Sequence, residues 1–488
     1  MASPSGRTLR TLLAVDAAHA GGATALLLPD GSGWSFAELD AAATTVAQGL
    51  PRDARIGVRL SNDAASVVAI HAVLRAGGTV VSVGHATPAV EVERRLTVTG
   101  AQALLEPASD GLAVSLALRE PVGVGERGAD EVLIMFTSGT TGNPKAAAIS
   151  ASALEASVRG IATGSGLPSG GRAPSDPARG PQPVFVPFAH MGGFLGTFTT
   201  WWLGKPLLLC PRFSVRLVAD LARTVRIGVL RMTPAMVYEL AHAPADVELP
   251  GVTSATVGTA ALPEKTQQDF EERFGIPILR NYGQTEFAGA IAFERSEDVA
   301  SGRRPHGTVG RAAPGVDIRI MSADGVEAGV GEVGEIHARS ASSMSGYLGD
   351  AAKPVDGWLA TGDLGRLDTD GFLTIVGRVR DVILCGGFNI YPAQLESALN
   401  RLDGVADSAV AALPDDRLGE IPVAVVVPTA GTELDPDRIR ESLREQLAPY
   451  ELPRRVLVVS KIPRFESGKV DRDGVTRAFS GLARTPPA

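Results

Sequence analysis

The strongest constraint on the fold is an alternation. Short runs rich in β-branched residues are separated by stretches whose apolar residues recur at helical spacing. RIGVRL (55–60), TVVSV (79–83) and EVLIMF (131–136) read as strands, as do residues 184–187, 206–210 and 228–232. Residues 64–75 read as a helix closed by Gly77-Gly78, Ser35-x-x-Glu38 is a capping box opening another, and a third starts near Pro88. This order predicts an α/β protein with parallel-rich sheets covered by helices. A chain of 488 residues exceeds what one core needs, so two or more domains are expected.

The pattern breaks twice. Residues 160–183 (GIATGSGLPSGGRAPSDPARGPQP) are rich in Gly, Pro, Ser and Arg and aperiodic, and read as a mobile surface insertion. After Arg378 the character becomes α+β. SAVAAL and PVAVVV read as strands, Asp435 opens a helix with Pro436 in its first turn, and RVLVVS is a further strand. The expected division is a large N-terminal domain, 1–378, and a small α+β C-terminal domain, 379–488.

Composition excludes several classes. A net charge of −8 gives no general attraction to nucleic acid or an anionic membrane. The two cysteines, Cys210 and Cys385, lie far apart, so neither a disulfide framework nor a metal spacing follows, and a reducing cytoplasm is the expected location. Cys385 reads as a small strand residue, since no base motif accompanies it. The first residues hold only four apolar ones in a run before Asp16, a poor signal peptide, and no run approaches a membrane span. GVGERG (123–128) and GVGEVG (329–334) precede strand-like runs where a dinucleotide fingerprint precedes a helix, so both read as turns.

One stretch points to chemistry. IMFTSGTTGNPKAA (134–147) follows a buried strand, at the ligand edge of an open α/β sheet. Thr137, Ser138, Thr140 and Thr141 supply hydroxyls, Gly139 and Gly142 let the backbone curl, and Lys145 supplies a charge. Together they suit a polyphosphate. The order is not that of a Walker loop, because Pro144 precedes the lysine and Ala146 follows it.

TSGTTGNPK resembles the phosphate loop of the adenylate-forming superfamily, which includes acyl-CoA synthetases, peptide-synthetase adenylation domains and luciferases. Five further segments follow in the family's order over nearly the whole chain. FVPFAHMGG resembles the substrate-gating segment and places His190 at the acyl site. Gly258, Thr259 and Ala260 of GTAALP, and Asn281, Tyr282 and Gly283 of NYGQTEFAG, resemble the adenine and α-phosphate segments. WLATGDLG carries the ribose-binding pattern at Asp363, with Arg378 beside the same sugar. GRVRDVILCGGFNIYPAQLE resembles the hinge, at Arg380, and the pantetheine tunnel, at Gly386 and Gly387. PRFESGKVDR carries the catalytic-lysine pattern at Lys469.

The resemblance implies an acid–CoA ligase using ATP, Mg²⁺ and coenzyme A. Lys469, Thr285, Glu286 and His190 are its candidate catalytic residues, and Glu286 the candidate magnesium ligand. A carrier-protein pantetheine is the alternative acceptor. A luciferase-like oxygenase has no separate support, and intact Glu286, Asp363 and Lys469 argue against a binding-only relic. FAHMGG lacks the aspartate that pairs with a substrate amine, which favours an acid without an α-amino group. Gly192, Gly193, Gly196, Ala288 and Gly289 either leave room for a bulky apolar acid or serve close backbone packing.

One departure stands out. Family members usually carry glycine after the loop lysine and Thr-His at the end of the following run, where this chain has Ala146 and Ser150-Ala151. If position 146 needs a positive φ, alanine displaces Lys145 and weakens adenylation. The chain would then be a half-reaction specialist fed with acyl-AMP made elsewhere.

Overall fold

The computed structural model describes residues 7–108, 111–120, 123, 127–137, 144–164, 171, 180–349, 356–429, 431–464 and 470–480. Its described residues form four sheets. The seven-stranded sheet has a parallel centre made of Arg55–Leu60, Thr79–Gly84, Ala103–Pro107 and Glu131–Thr137. Helix Ala64–Arg75 packs on it and is buried along nearly its whole length, which explains its largely apolar sequence, broken only by Ser66, His71 and the terminal Arg75. The expected caps are present. Ser35 and Glu38 bond reciprocally as a capping box, and Gly77 takes a φ of +78° after the helix end.

The nine-stranded sheet mixes the expected parallel pairing with antiparallel pairing. Val229–Met232, Ser254–Val257 and Ile278–Gln284 are parallel. From Gly289–Phe293 to Phe372–Arg378, six further strands pair antiparallel. Their alternating burial, as in Gly334–Ser340, is the period-two pattern of a sheet with one wetter face. The strand read at 184–187 lies earlier, at Gln182–Val184. Beyond it the backbone turns to the buried side chain of Asn62, whose Nδ2 donates to Val186 O (3.3 Å) and whose Oδ1 accepts from Phe188 N (3.1 Å). Residues 160–164, read as loop, end the helix Ala151–Gly164, because Ile161 and Ala162 continue its packed face. The rest of that segment lies largely outside the described residues.

Sheet membership changes after Phe372–Arg378. The turn Val379–Asp381 leads to a five-stranded sheet drawn wholly from residues 383–458, with helices Pro392–Asn400, Pro436–Leu443 and Arg472–Ser480. This unit has its own apolar clusters, one around Leu395, Val410 and Leu443, the other around Val425, Val475 and Phe479. No helix among the described residues is long and apolar enough to cross a membrane.

Candidate active site

Asp363 is the best-defined anchor of the site. Its carboxylate is buried and takes three side-chain contacts. Tyr282 OH donates to Oδ2 (2.8 Å), Gln284 Nε2 donates to the same oxygen (2.7 Å), and Arg378 Nε lies 3.0 Å from Oδ1. The sheet register produces this convergence, since Asp363 and Arg378 are cross-strand partners and Tyr282 and Gln284 share a face of Ile278–Gln284. Gln284 also donates to Thr361 O (2.9 Å), and the Thr361 hydroxyl accepts from Asp363 N (3.1 Å). Burial, and then the Asp363 carboxylate, hold the Tyr282 phenol well above its ordinary pKa, so it stays a donor at neutral pH. Tyr282, Asp363 and Arg378 were legible in the sequence. Gln284 and Thr361 were not singled out, although both sit inside quoted motifs.

A second group gathers around Glu286. The short turn Thr285–Phe287 presents its carboxylate, Met344 N donates to Glu286 O (2.7 Å), and Tyr347 OH donates to Oε1 (2.5 Å). Lys145 Nζ sits 4.9 Å from the centre of the Tyr347 ring. The strand Gly346–Tyr347 pairs with Lys145–Ser150, bringing the loop lysine and Glu286 to one tyrosine. No motif marked Tyr347. Glu286 Oε2 has no protein partner among the described residues. An oriented carboxylate with one free oxygen fits magnesium, which takes one or two carboxylates and fills its shell with phosphate oxygens and water.

The backbone at the adenine segment is tightly specified. A β-carbon at Gly258 would lie 2.2 Å from Asn281 Oδ1, so a larger residue would have to displace that amide, whose Nδ2 donates to Val257 O (3.1 Å). The next residue, Thr259, is exposed with φ +74°, a left-handed conformation that costs a β-branched residue about 1–2 kcal/mol. Such strain is typical of ligand-facing loops.

Other expected residues divide. Thr137 ends its strand opposite Lys145. Ser138, Gly139, Thr140, Thr141 and Gly142 lie outside the described residues, as does Lys469. His190 is the exposed N-terminal residue of helix Met191–Trp202. Arg380 is exposed in the turn Val379–Asp381. Gly386 and Gly387, at φ +60° and +88°, form the two-residue turn of a hairpin, a local requirement that accounts for both glycines. Of the glycines weighed as space for the acid, Gly193 and Gly289 serve packing: a β-carbon would meet Pro187 O at 2.3 Å and Leu195 Cδ2 at 2.7 Å respectively. Gly192 and Gly196 have their nearest neighbours at 3.6 Å.

Ala146 corrects the reasoning about the departure. It sits inside Lys145–Ser150, paired with Phe136 in an extended ladder, and is not among the residues with positive φ. The methyl is buried with Ile134 and Val81. The strain that motivated a half-reaction specialist is absent.

Comparison with known proteins identifies the family and the fold. The AMP-binding enzyme family matches residues 13–348, and the AMP-binding enzyme C-terminal domain matches 394–469. Indoleacetate–CoA ligase of Aromatoleum aromaticum is 34% identical over 352 residues, covering 70% of this chain and 66% of that protein, so the match spans just under two thirds of the relative's length. Feruloyl-CoA synthase of an Amycolatopsis species is 29% identical over 479 residues, covering 92% of this chain and 94% of the relative. ATP-bound MatB from Rhodopseudomonas palustris superposes with a TM-score of 0.83 at 26% identity, covering 97% of this chain and 99% of MatB. The chain belongs to the AMP-binding enzymes, the adenylate-forming superfamily.

Proposed function

We propose that this protein is an AMP-forming acid–CoA ligase acting in two steps. A substrate carboxylate attacks the α-phosphorus of ATP and pyrophosphate leaves, giving acyl-AMP. The thiol of coenzyme A then attacks the acyl carbonyl and AMP leaves. The observation that carries this reading is the Asp363 network beside the Glu286–Tyr347–Lys145 group, a hydroxyl-recognising carboxylate next to groups suited to phosphate.

Asp363 and Arg378 hold the ribose hydroxyls, Tyr282 offers the ring face to adenine, and Gly258–Ala260 line the base. Thr285 donates to the α-phosphate. Lys145, with the loop 137–142, neutralises the outer phosphates. Glu286 holds magnesium, which supplies charge stabilisation to the triphosphate. Lys469 bridges the carboxylate and phosphate, where two anions meet and a fixed cation is worth most. His190 faces the acid at the mouth of helix Met191–Trp202.

With the boundary at 378/379, the C-terminal unit turns about Arg380 between the steps. Lys469 leaves the site, and the Gly386-Gly387 hairpin approaches the pantetheine arm. The names of the relatives, from indoleacetate to feruloyl ligases, support a carboxylic acid without an α-amino group as substrate. The test is acid-dependent exchange of labelled pyrophosphate into ATP across a panel of acids, with the CoA thioester identified by mass spectrometry. Exchange and thioester with a shared best acid support the ligase. Exchange with transfer only to a carrier-protein pantetheine would replace CoA as the acceptor.

A further inference from the structure

Arg231 contrasts with the paired arginines Arg7 and Arg55, which are buried, and Arg472, which is half-buried like Arg231 itself. Arg7 bonds Asp16 (2.8 Å) and Trp201 O (2.8 Å), Arg55 bonds both oxygens of Glu131 (2.9 and 3.0 Å), and Arg472 bonds Asp381 and Glu396 (3.0 and 2.6 Å). Half-buried Arg231 has no hydrogen bond or ion pair with any described residue. Burial alone pushes its guanidinium down to about 10, still well above neutral pH, so a charge remains with nothing to balance it. A half-buried cation attracts an anion more strongly than one in open water, because its surroundings screen the charge less.

Its position gives the reason. Arg231 lies near the C-terminal end of strand Val229–Met232, where open α/β sheets bind ligands. Its neighbours Leu230 and Met232 point into one apolar cluster, so alternation sends Arg231 to the opposite face. There it meets helix Met191–Trp202, since a β-carbon on Gly196 would lie 3.6 Å from Nη1. The adjacent Leu195 reaches the start of Gly289–Phe293, directly after the turn that carries Glu286. The guanidinium therefore lies against the helix that follows His190, the residue assigned to the acid.

We infer that Arg231 is a specificity residue for the acyl substrate, and that the preferred acid carries a second anionic group, a carboxylate or sulfonate, paired with this guanidinium. The inference rests on the ligase reading and deepens it. It gives a charged far end to the acid, for which the glycines had offered only apolar room or close packing as alternatives. A planar fork suits such an oxyanion group bidentately. Gly196 leaves space beside Nη1 that a larger residue would take.

The experiment measures pyrophosphate exchange and CoA thioester formation with α,ω-dicarboxylates, ω-sulfonated acids and monocarboxylates of matched chain length. The enzymes are wild type, Arg231→Met and Arg231→Lys. Wild type should favour one of the doubly anionic series over matched monocarboxylates by roughly ten- to a hundredfold in kcat/KM. The dicarboxylate and sulfonate arms distinguish the two oxyanions. Arg231→Met should abolish that ratio mainly through KM, and Arg231→Lys should restore part of it. A thermal midpoint for Arg231→Met equal to or above wild type would confirm that the arginine holds no structural partner. Wild-type preference for monocarboxylates, or an unchanged ratio in Arg231→Met, overturns the inference and leaves the ligase standing. No exchange with any acid overturns both.

Discussion

Arg378 and Asp363 face each other on adjacent antiparallel strands, Nε 3.0 Å from Oδ1, and the three residues after Arg378 form the turn into the C-terminal unit. The Asp363 carboxylate, proposed to face the nucleotide, is thus tied to the last residue before the chain changes sheet. Asp363→Asn keeps the shape and still accepts from Tyr282, but loses the charge facing Arg378. Losing a charge-assisted contact of this kind costs about 1.5–3 kcal/mol. AMP affinity, measured by calorimetric titration, should fall roughly ten- to a hundredfold. An unchanged Kd would remove Asp363 from the nucleotide site.

Tyr347→Phe separates two roles of one side chain. The ring over Lys145 remains, while the hydroxyl that holds Glu286 Oε1 is lost. A carboxylate released from one oriented position binds magnesium less well. The free Mg²⁺ needed for half-maximal pyrophosphate exchange should rise by roughly tenfold, equivalent to about 1.4 kcal/mol. Glu286→Gln should raise it further, because a neutral amide is a poor magnesium ligand. The idea fails if both variants match wild type at limiting Mg²⁺.

Ala146→Gly distinguishes an ordinary strand residue from a compensated defect. In an extended ladder with a buried methyl, glycine adds backbone entropy and removes packing, a loss of about 0.5–1 kcal/mol in denaturant unfolding. Wild type should show robust exchange, with no gain in the variant. A strong gain would revive the half-reaction specialist despite the extended backbone.

What was legible depended on distance along the chain. Strands and helices whose signals are local appeared as read: the Ser35–Glu38 box, the Asp435-Pro436 helix start and the strand Arg55–Leu60. The pairing of residues 289–378 is set by partners far away, and short polar-faced strands carry little mark of direction. The same holds at the site. Tyr282, Glu286 and Asp363 stand in ordered motifs, whereas Tyr347 reaches Glu286 only because Gly346–Tyr347 pairs with Lys145–Ser150. Arg231 carried no motif at all, and its significance comes from a partner that is missing.

Glu294 should give the fold a measurable pH dependence. Burial pushes its carboxyl up to about 7, against the opposing effects of the Arg280 amide (2.8 Å) and the Arg304 and Arg280 charges. A raised acid binds its proton more tightly when folded, so it favours the folded state fully below its unfolded pKa, near 4.5. That contribution is lost as pH rises through about 7. Glu294→Gln keeps an acceptor for the Arg280 amide and removes the titration. The stability difference between variant and wild type should move in the variant's favour between pH 5 and pH 8, by on the order of 1–3 kcal/mol. Urea unfolding at both pH values checks it, and a pH-independent difference would show that Glu294 ionises normally.

The last prediction concerns Arg472, close to Lys469 in the chain. Arg472, three residues on, opens the helix Arg472–Ser480 and joins three elements of the C-terminal unit. Its Nε donates to Asp381 Oδ2 (3.0 Å) in the turn after Arg378, and Nη1 donates to Glu396 Oε1 (2.6 Å) and to Val410 O. Burial works against its charge, yet Glu396 and Asp381 together hold the guanidinium above its ordinary pKa. The start of the helix Arg472–Ser480, three residues after the lysine, is therefore pinned to the turn about which the unit is proposed to move. Arg472→Met should destabilise the protein by about 3–5 kcal/mol, because Glu396 is left with an unbalanced charge. At a temperature where the variant is still folded, it should slow adenylation by at least roughly tenfold, since small misplacements of a reacting group are costly. Thioester formation from synthetic acyl-AMP should change much less, because Lys469 is assigned to the first step alone. Lys469→Ala sets the limit of that asymmetry, and Arg472→Lys should fall between. Equal slowing of both half-reactions in Arg472→Met would mean that the arginine only holds the fold together.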